Sequence, residues 1–144
     1  MKDQIRNAVF LSVVVLFIGL TSVSAQEGDS KAVSGGGVQV KGWTGQIDGK
    51  EKAAGLTINS AKFVEGGNAL HVTTGPAVTY WNPKNVAKGD YTVSATFFEP
   101  KYMSLNDHPH PYGIMIGGND LGTEQQSYLY CAAYGDGTYI VRGF

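Results

Sequence analysis

Residues 127–142 read SYLYCAAYGDGTYIVR, two runs rich in aromatic and β-branched side chains on either side of Gly135-Asp136-Gly137. A tight hairpin turn of the primed type needs a positive φ at its centre, and Asp136-Gly137 tolerates one. The stretch therefore predicts an antiparallel hairpin, residues 128–134 against 138–142, and sets the chain among β proteins. Upstream, residues 91–98 (YTVSATFF) alternate, with Tyr91, Val93, Ala95 and Phe97 on one face and Thr92, Ser94 and Thr96 on the other. A period of two suits a half-buried antiparallel strand and cannot make an amphipathic helix. Residues 112–116 add a strand with Tyr112, Ile114 and Ile116 on one side, broken by Gly117-Gly118-Asn119-Asp120.

Further strands are expected at 38–43, 56–59, 61–64 and 69–74. The last two flank Glu65-Gly66-Gly67-Asn68, a hairpin signal. Residues 45–55 read as loop, with Asp48-Gly49 a turn. No sustained 3.6-residue period occurs in the mature region. The expected fold is all-β, an antiparallel β-sandwich of jelly-roll type. Strand character persists to Phe144 without a polar tail, so the last hairpin would present an open edge. The sandwich is accordingly expected to be incomplete at its C-terminus.

Composition narrows the function classes. The chain of 144 residues has a formal charge of −1, 20 glycines, eight tyrosines and 16% charged residues. Such a balance supplies no basic field for nucleic acid, and it lacks the high net charge and low hydrophobicity of disorder. Lys2 and Arg6 precede an apolar run, Ala8 to Leu20, shorter than the ~20 residues that span a bilayer. Small residues then place Val23 and Ala25 at the −3 and −1 positions of a signal-peptidase site. Residues 1–25 are expected to be a signal peptide, 26–37 (QEGDSKAVSGGG) a flexible leader, and 38–144 the β-sandwich domain. The protein is then exported, periplasmic or extracellular, with no stable membrane span after cleavage; an uncleaved anchor is the alternative.

The order of Trp43, FVEGGNALHV (63–72), GDYTVSATF (89–97), YGIMIG (112–117) and the tyrosine-bearing hairpin ending in YGDGTYIV resembles the concanavalin A-like lectin and glucanase jelly rolls. It is similar in particular to the secreted bacterial keto-disaccharide hydrolase-like domains. The resemblance implies two antiparallel sheets whose concave face often holds saccharide. The Glu-x-Asp-x-x-Glu signature of the laminarinase-like members is absent. Retaining hydrolysis needs two carboxyls ~5 Å apart, and no expected strand carries acidic residues at a spacing of two or four. The chain therefore reads as a carbohydrate-binding or interaction module. A saccharide hydrolase with part of its active site beyond Phe144 is the alternative, and glycoside hydrolysis is the only enzyme class favoured.

Candidate glycan contacts follow from chemistry. Tyr128, Tyr130 and Tyr134 share one parity, Tyr139 follows across the hairpin, and Tyr80-Trp81 offers a second platform. A flat ring with a polar tip suits a sugar's apolar face and its rim of hydroxyls; the same rings serve equally well as core or as cross-strand pairs. His108 and His110, beside Asp107, fit either a stiff Pro-rich loop rimming a groove or two ligands of a metal site that lacks a third. Asp120 and its neighbouring glycine carbonyls offer hard oxygens for calcium, or simply a turn. No cofactor is otherwise implied. Cys131, the single cysteine, shares a parity with Leu129 and is expected to be a buried thiol, the alternatives being a nucleophile or an intermolecular bridge.

Overall fold

The computed structural model describes residues 33–73, 75–100, 104–105 and 108–144. The expected signal peptide and most of the leader lie outside the described residues. The described chain is all-β apart from one short helix and one 3-10 turn. In order it forms β1 (Gly37–Val38), β2 (Thr44–Ile47), α1 (Gly49–Ala53), the 3-10 turn Ile58–Ser60, β3 (Lys62–Gly66), β4 (Ala69–Thr73) and β5 (Val78–Trp81). There follow β6 (Ser104–Leu105), β7 (His108–Pro109), β8 (Tyr112–Asn119), β9 (Ser127–Ala133) and β10 (Tyr139–Gly143).

These strands make four small sheets, ordered β1-β3-β4, β10-β9-β8, β2-β5 and β6-β7. Among the described residues the sheets do not close on one another. All pairings are antiparallel except β1 with β3. Both expected hairpins form: β3 and β4 turn through Gly67-Asn68, and β9 and β10 pair from Tyr139 opposite Ala133 to Gly143 opposite Leu129. The turn itself departs from the expected primed type: the Tyr134 carbonyl accepts from the Gly137 N–H at 3.0 Å, Asp136 does not take a positive φ, and Gly137 alone is left-handed at φ +89°, as in a three-residue loop closed by a bulge. The Asp136 carboxylate accepts from the Thr138 N–H at 2.9 Å and from its hydroxyl at 2.7 Å, closing the turn.

Residues 45–55 are more ordered than their loop reading. Thr44–Ile47 pairs with β5, and Asp48 caps α1 by accepting from the Lys50 N–H at 2.9 Å. Asp48 with Glu51 three residues on is a helix-start pattern, hidden here because five residues are too few to show a period. Residues 56–59 end in the 3-10 turn instead of a strand, with Thr57 and Ser60 capping each other reciprocally. β8 runs through Gly117-Gly118 to Asn119, carried past the expected break by a bulge between Ile116 and Asn119. Residues 91–98 join no sheet, and each of them is exposed.

The core is small. Val40, Ile47, Ala61, Phe63, Tyr128 and Ala132 are buried. Phe63 is its hub, edge-on to Trp43 at 5.3 Å and stacked on Tyr80 at 4.5 Å. The link to the C-terminal sheet runs through Tyr128, whose hydroxyl shares a 2.7 Å hydrogen bond with Thr79 and whose ring stacks on Phe144 at 4.8 Å. The expected burial of Cys131 is corrected: its thiol is exposed. Parity placed it with Leu129, and that pair stands on the outer face of the sheet, opposite buried Tyr128 and Ala132.

Candidate functional site

The site is built on the β2-β5 ladder. Successive residues of a strand point to opposite faces, so Tyr80 and Trp81 part company. Tyr80 lies opposite Gly45, where a Cβ would stand 2.7 Å from the ring. The missing side chain lets the phenol lie across the strand and stack on Phe63. Burial pushes the Tyr80 phenol up to about 12, and its hydroxyl has no hydrogen-bond partner among the described residues. Trp81, paired with Thr44, shares the other face with Gln46 and Thr79.

Over that face opens a hollow of about 390 Å³ lined by Trp81, Thr44, Gln46, Lys52, Thr57 and Ile58. A second hollow of about 380 Å³ adjoins it, sharing Gln46 and Lys52 and adding Asp48, Glu124, Gln126 and Phe144. Two common residues make these consecutive lobes of one open groove. The first lobe is neutral apart from Lys52. The second carries two carboxylates and two ammonium groups, Lys50 and Lys52.

Three segments position these groups. Helix α1 presents Lys52, whose ammonium stands 3.4 Å from the Glu124 carboxylate. Both side chains are mostly exposed, so the pair contributes at most about 1 kcal/mol, and it orients more than it stabilises. The 120–126 loop forms the opposite wall and is braced by its own bonds. The Asp120 carbonyl accepts from the Thr123 hydroxyl at 2.8 Å and N–H at 3.1 Å, and Gln126 Oε1 accepts from the Gly122 N–H at 3.1 Å. Gly122, at φ +89°, lies so close to the Trp81 indole that a Cβ would stand 3.3 Å from the ring. Tyr128 stacks on Phe144, which lines the second lobe. Burial raises its phenol pKa above the ordinary value, the Thr79 hydrogen bond partly opposing this, with the nearby Asp48 and Tyr130 adding to the rise.

The structure distributes the expected contact residues widely. Trp81 lines the groove and Tyr80 packs inward. Tyr128 and Tyr130 share the inner face of the C-terminal sheet, ring centroids 6.2 Å apart, but Tyr128 is buried. Tyr139 pairs with Ala133, which puts it on the opposite face from those two, 75% exposed. Tyr134 closes the hairpin, its N–H donating to the Thr138 carbonyl at 2.8 Å. The backbone of His108 lies in β7, opposite Leu105, and its side chain is outside the described residues. His110 is half-buried, its Nε2 without a partner among the described residues. Asp120 sits at φ +47° in a turn whose carbonyl already serves Thr123. No cluster of three or more His, Cys, Asp or Glu occurs among the described residues.

Gln46, Lys52, Glu124 and Gln126 were not legible as site residues. Lys52 and Glu124 meet across 72 positions of sequence, which no local pattern reveals. The Asp48-to-Glu51 cap was the one available signal, since it would have set Lys52 on a helix. Among the described residues no helix is long and apolar enough to cross a membrane. No known protein family matches the chain, and neither a curated protein nor a solved structure matches it.

Proposed function

We propose that this chain is an exported carbohydrate-binding module of the concanavalin A-like jelly-roll type, holding a glycan in the groove floored by Trp81. Export rests on the signal-peptide pattern of residues 1–25. The observation that carries the binding reading is the placement of a flat indole beside the Gln46 amide and the Thr44 and Thr57 hydroxyls, in a hollow of about 390 Å³. A pyranose ring offers an apolar C–H face to the indole and equatorial hydroxyls to the polar rim. A few hundred Å³ suits one or two such rings.

Fluorescence tests the reading directly. Trp43→Phe leaves Trp81 as the single indole, and titration with a broad oligosaccharide panel is expected to shift or quench its emission. Trp81→Ala is expected to weaken binding at least about tenfold, the loss of one aromatic platform. No response to the panel overturns the proposal.

One observation favours a hydrolase: Asp48 and Glu124 line the same lobe. Turnover would release reducing ends over time, and Glu124→Gln would abolish the release. If none appear, binding stands alone.

A further inference from the structure

The C-terminal sheet carries large apolar side chains on both faces. β8 contains Ile114-Met115-Ile116, β9 runs Tyr-Leu-Tyr-Cys-Ala-Ala from Tyr128, and β10 opens with Tyr139-Ile140-Val141. A sheet with one wet face alternates apolar and polar residues, and a sheet covered on both faces reads as continuous apolar runs. Its inner face is covered around Tyr128 and Ala132. Among the described residues its outer face is open.

The strand register defines that outer face. Directly opposed residues of neighbouring strands share a side, so Ile114, Cys131 and Val141 form its central row. Ile116 and Leu129 lie on one flank of the row, and Ala133 and Tyr139 on the other. Tyr139 is 75% exposed, Val141 56%, Leu129 44% and Ile116 36%. Phe97, 47% exposed, extends the patch through its ring contact with Tyr112 at 5.3 Å. Arg142 has the other parity and points away, so the central row contains no charged side chain, whereas Tyr112, in the row of Ala133, brings the Glu99 carboxylate to the patch's edge through its hydroxyl.

We propose that this face is the interface for a second copy of the chain, packed face to face about a two-fold axis near Cys131. A two-fold interface is one patch used twice, and the uncharged central row meets its own copy without repulsion. Tyr139, Val141, Leu129, Ile116 and Phe97 together expose roughly 500 Å² when side chains of this size are scaled by their exposure. Two copies then bury at most about 1,000 Å², the lower limit for a specific interface and the range of weak, reversible association. The dimer does not depend on glycan binding, because the groove lies on other elements.

The test uses the full exported chain and two readouts, mass by light scattering across concentration and the rate at which Cys131 reacts with a maleimide. The expected result is a dimer whose Cys131 reacts more slowly as concentration rises. Val141→Glu sets two carboxylates against each other at the axis; it is expected to weaken the dimer at least about 100-fold and restore fast labelling. Should that chain fail to fold, Tyr139→Ser trims exposed apolar area alone and is expected to weaken the dimer in the same direction. Three results overturn the proposal. A monomer with reactive Cys131 means the face stays open. A monomer with protected Cys131 means the chain itself covers it. A dimer indifferent to both substitutions, with Cys131 reactive, means association through another surface, such as the β10 edge.

Discussion

Residues 91–98 and residues 127–142 carry the same signal and meet different fates. Both are aromatic and β-branched, and the first alternates more regularly than the second. Yet β9 is paired on both sides, with β8 and β10, whereas 91–98 has no backbone hydrogen bond to another strand among the described residues. Its ties to β8 are the Phe97–Tyr112 ring contact and, just beyond it, the hydrogen bond between the Tyr112 hydroxyl and the Glu99 carboxylate. The difference teaches that alternation assigns side chains to faces but chooses no partner. Gly135-Asp136-Gly137 chooses one, because a turn that reverses the chain within three residues delivers the second strand to the first. Lys88-Gly89-Asp90 starts a strand without returning it to anything.

Hydrogen exchange should separate the two regions most. Amides of β9 that bond to β8 and β10 are expected to exchange at least about 10³-fold more slowly than those of 91–98, whose openings cost almost nothing. Equal protection would mean that 91–98 pairs in solution. Substitution should follow the same order. Tyr128→Ala removes a buried ring and is expected to cost about 3–5 kcal/mol in denaturant unfolding. Val93→Ala, on an exposed segment, is expected to cost under about 0.5 kcal/mol. Tyr128→Phe isolates the Thr79 hydrogen bond, about 1 kcal/mol.

The turn itself is open to a sharper probe. Gly137→Ala forces a Cβ into φ +89° and is expected to cost about 1 kcal/mol or more, whereas Ala95→Gly changes little.

Titration gives the smallest effects. The Thr138 hydroxyl and N–H hold the Asp136 carboxyl below its ordinary value. A depressed folded-state value adds stability above the unfolded carboxylate range, lost as pH falls through the folded value. An NMR titration should find the Asp136 midpoint low in the folded chain, and Thr138→Ala should raise it. Tyr80 behaves oppositely. Its phenol lies near 12 in the fold against 10.0 unfolded, so its contribution is intact below about 10 and is lost as pH rises through about 12. Ultraviolet titration should show Tyr80 among the late-ionising phenols, with Tyr112 and Tyr128 also raised, and Phe63→Ala should bring the Tyr80 step earlier.

The legible parts of the molecule are those where one short segment contains its own instructions. The hairpins at Gly67-Asn68 and Asp136-Gly137 are of this kind, as is the parity that groups Tyr128 with Tyr130. Tyr80 and Trp81 stood out together as flat rings with polar tips, with no local sign of which of them faces a hollow. That Tyr80 would face inward followed only from Gly45, a residue 35 positions earlier that vacates the space for its ring. Glu124 gave no sign of a site, since an acidic residue in a polar loop looks the same whether or not a lysine of α1 stands opposite.

The amino-acid sequence by itself determined an all-β chain, its two hairpins and which residues of a strand share a side, because φ/ψ preference, turn chemistry and a period of two act within a few residues. Tertiary structure decided which strands found partners, that Trp81 and not Tyr80 floors a groove, and that Cys131 stands on an open apolar face. Those outcomes depend on which distant segments reach one another. Such contacts are bought with loop-closure entropy and rewarded only by burial of the assembled surface, a balance that no single segment contains.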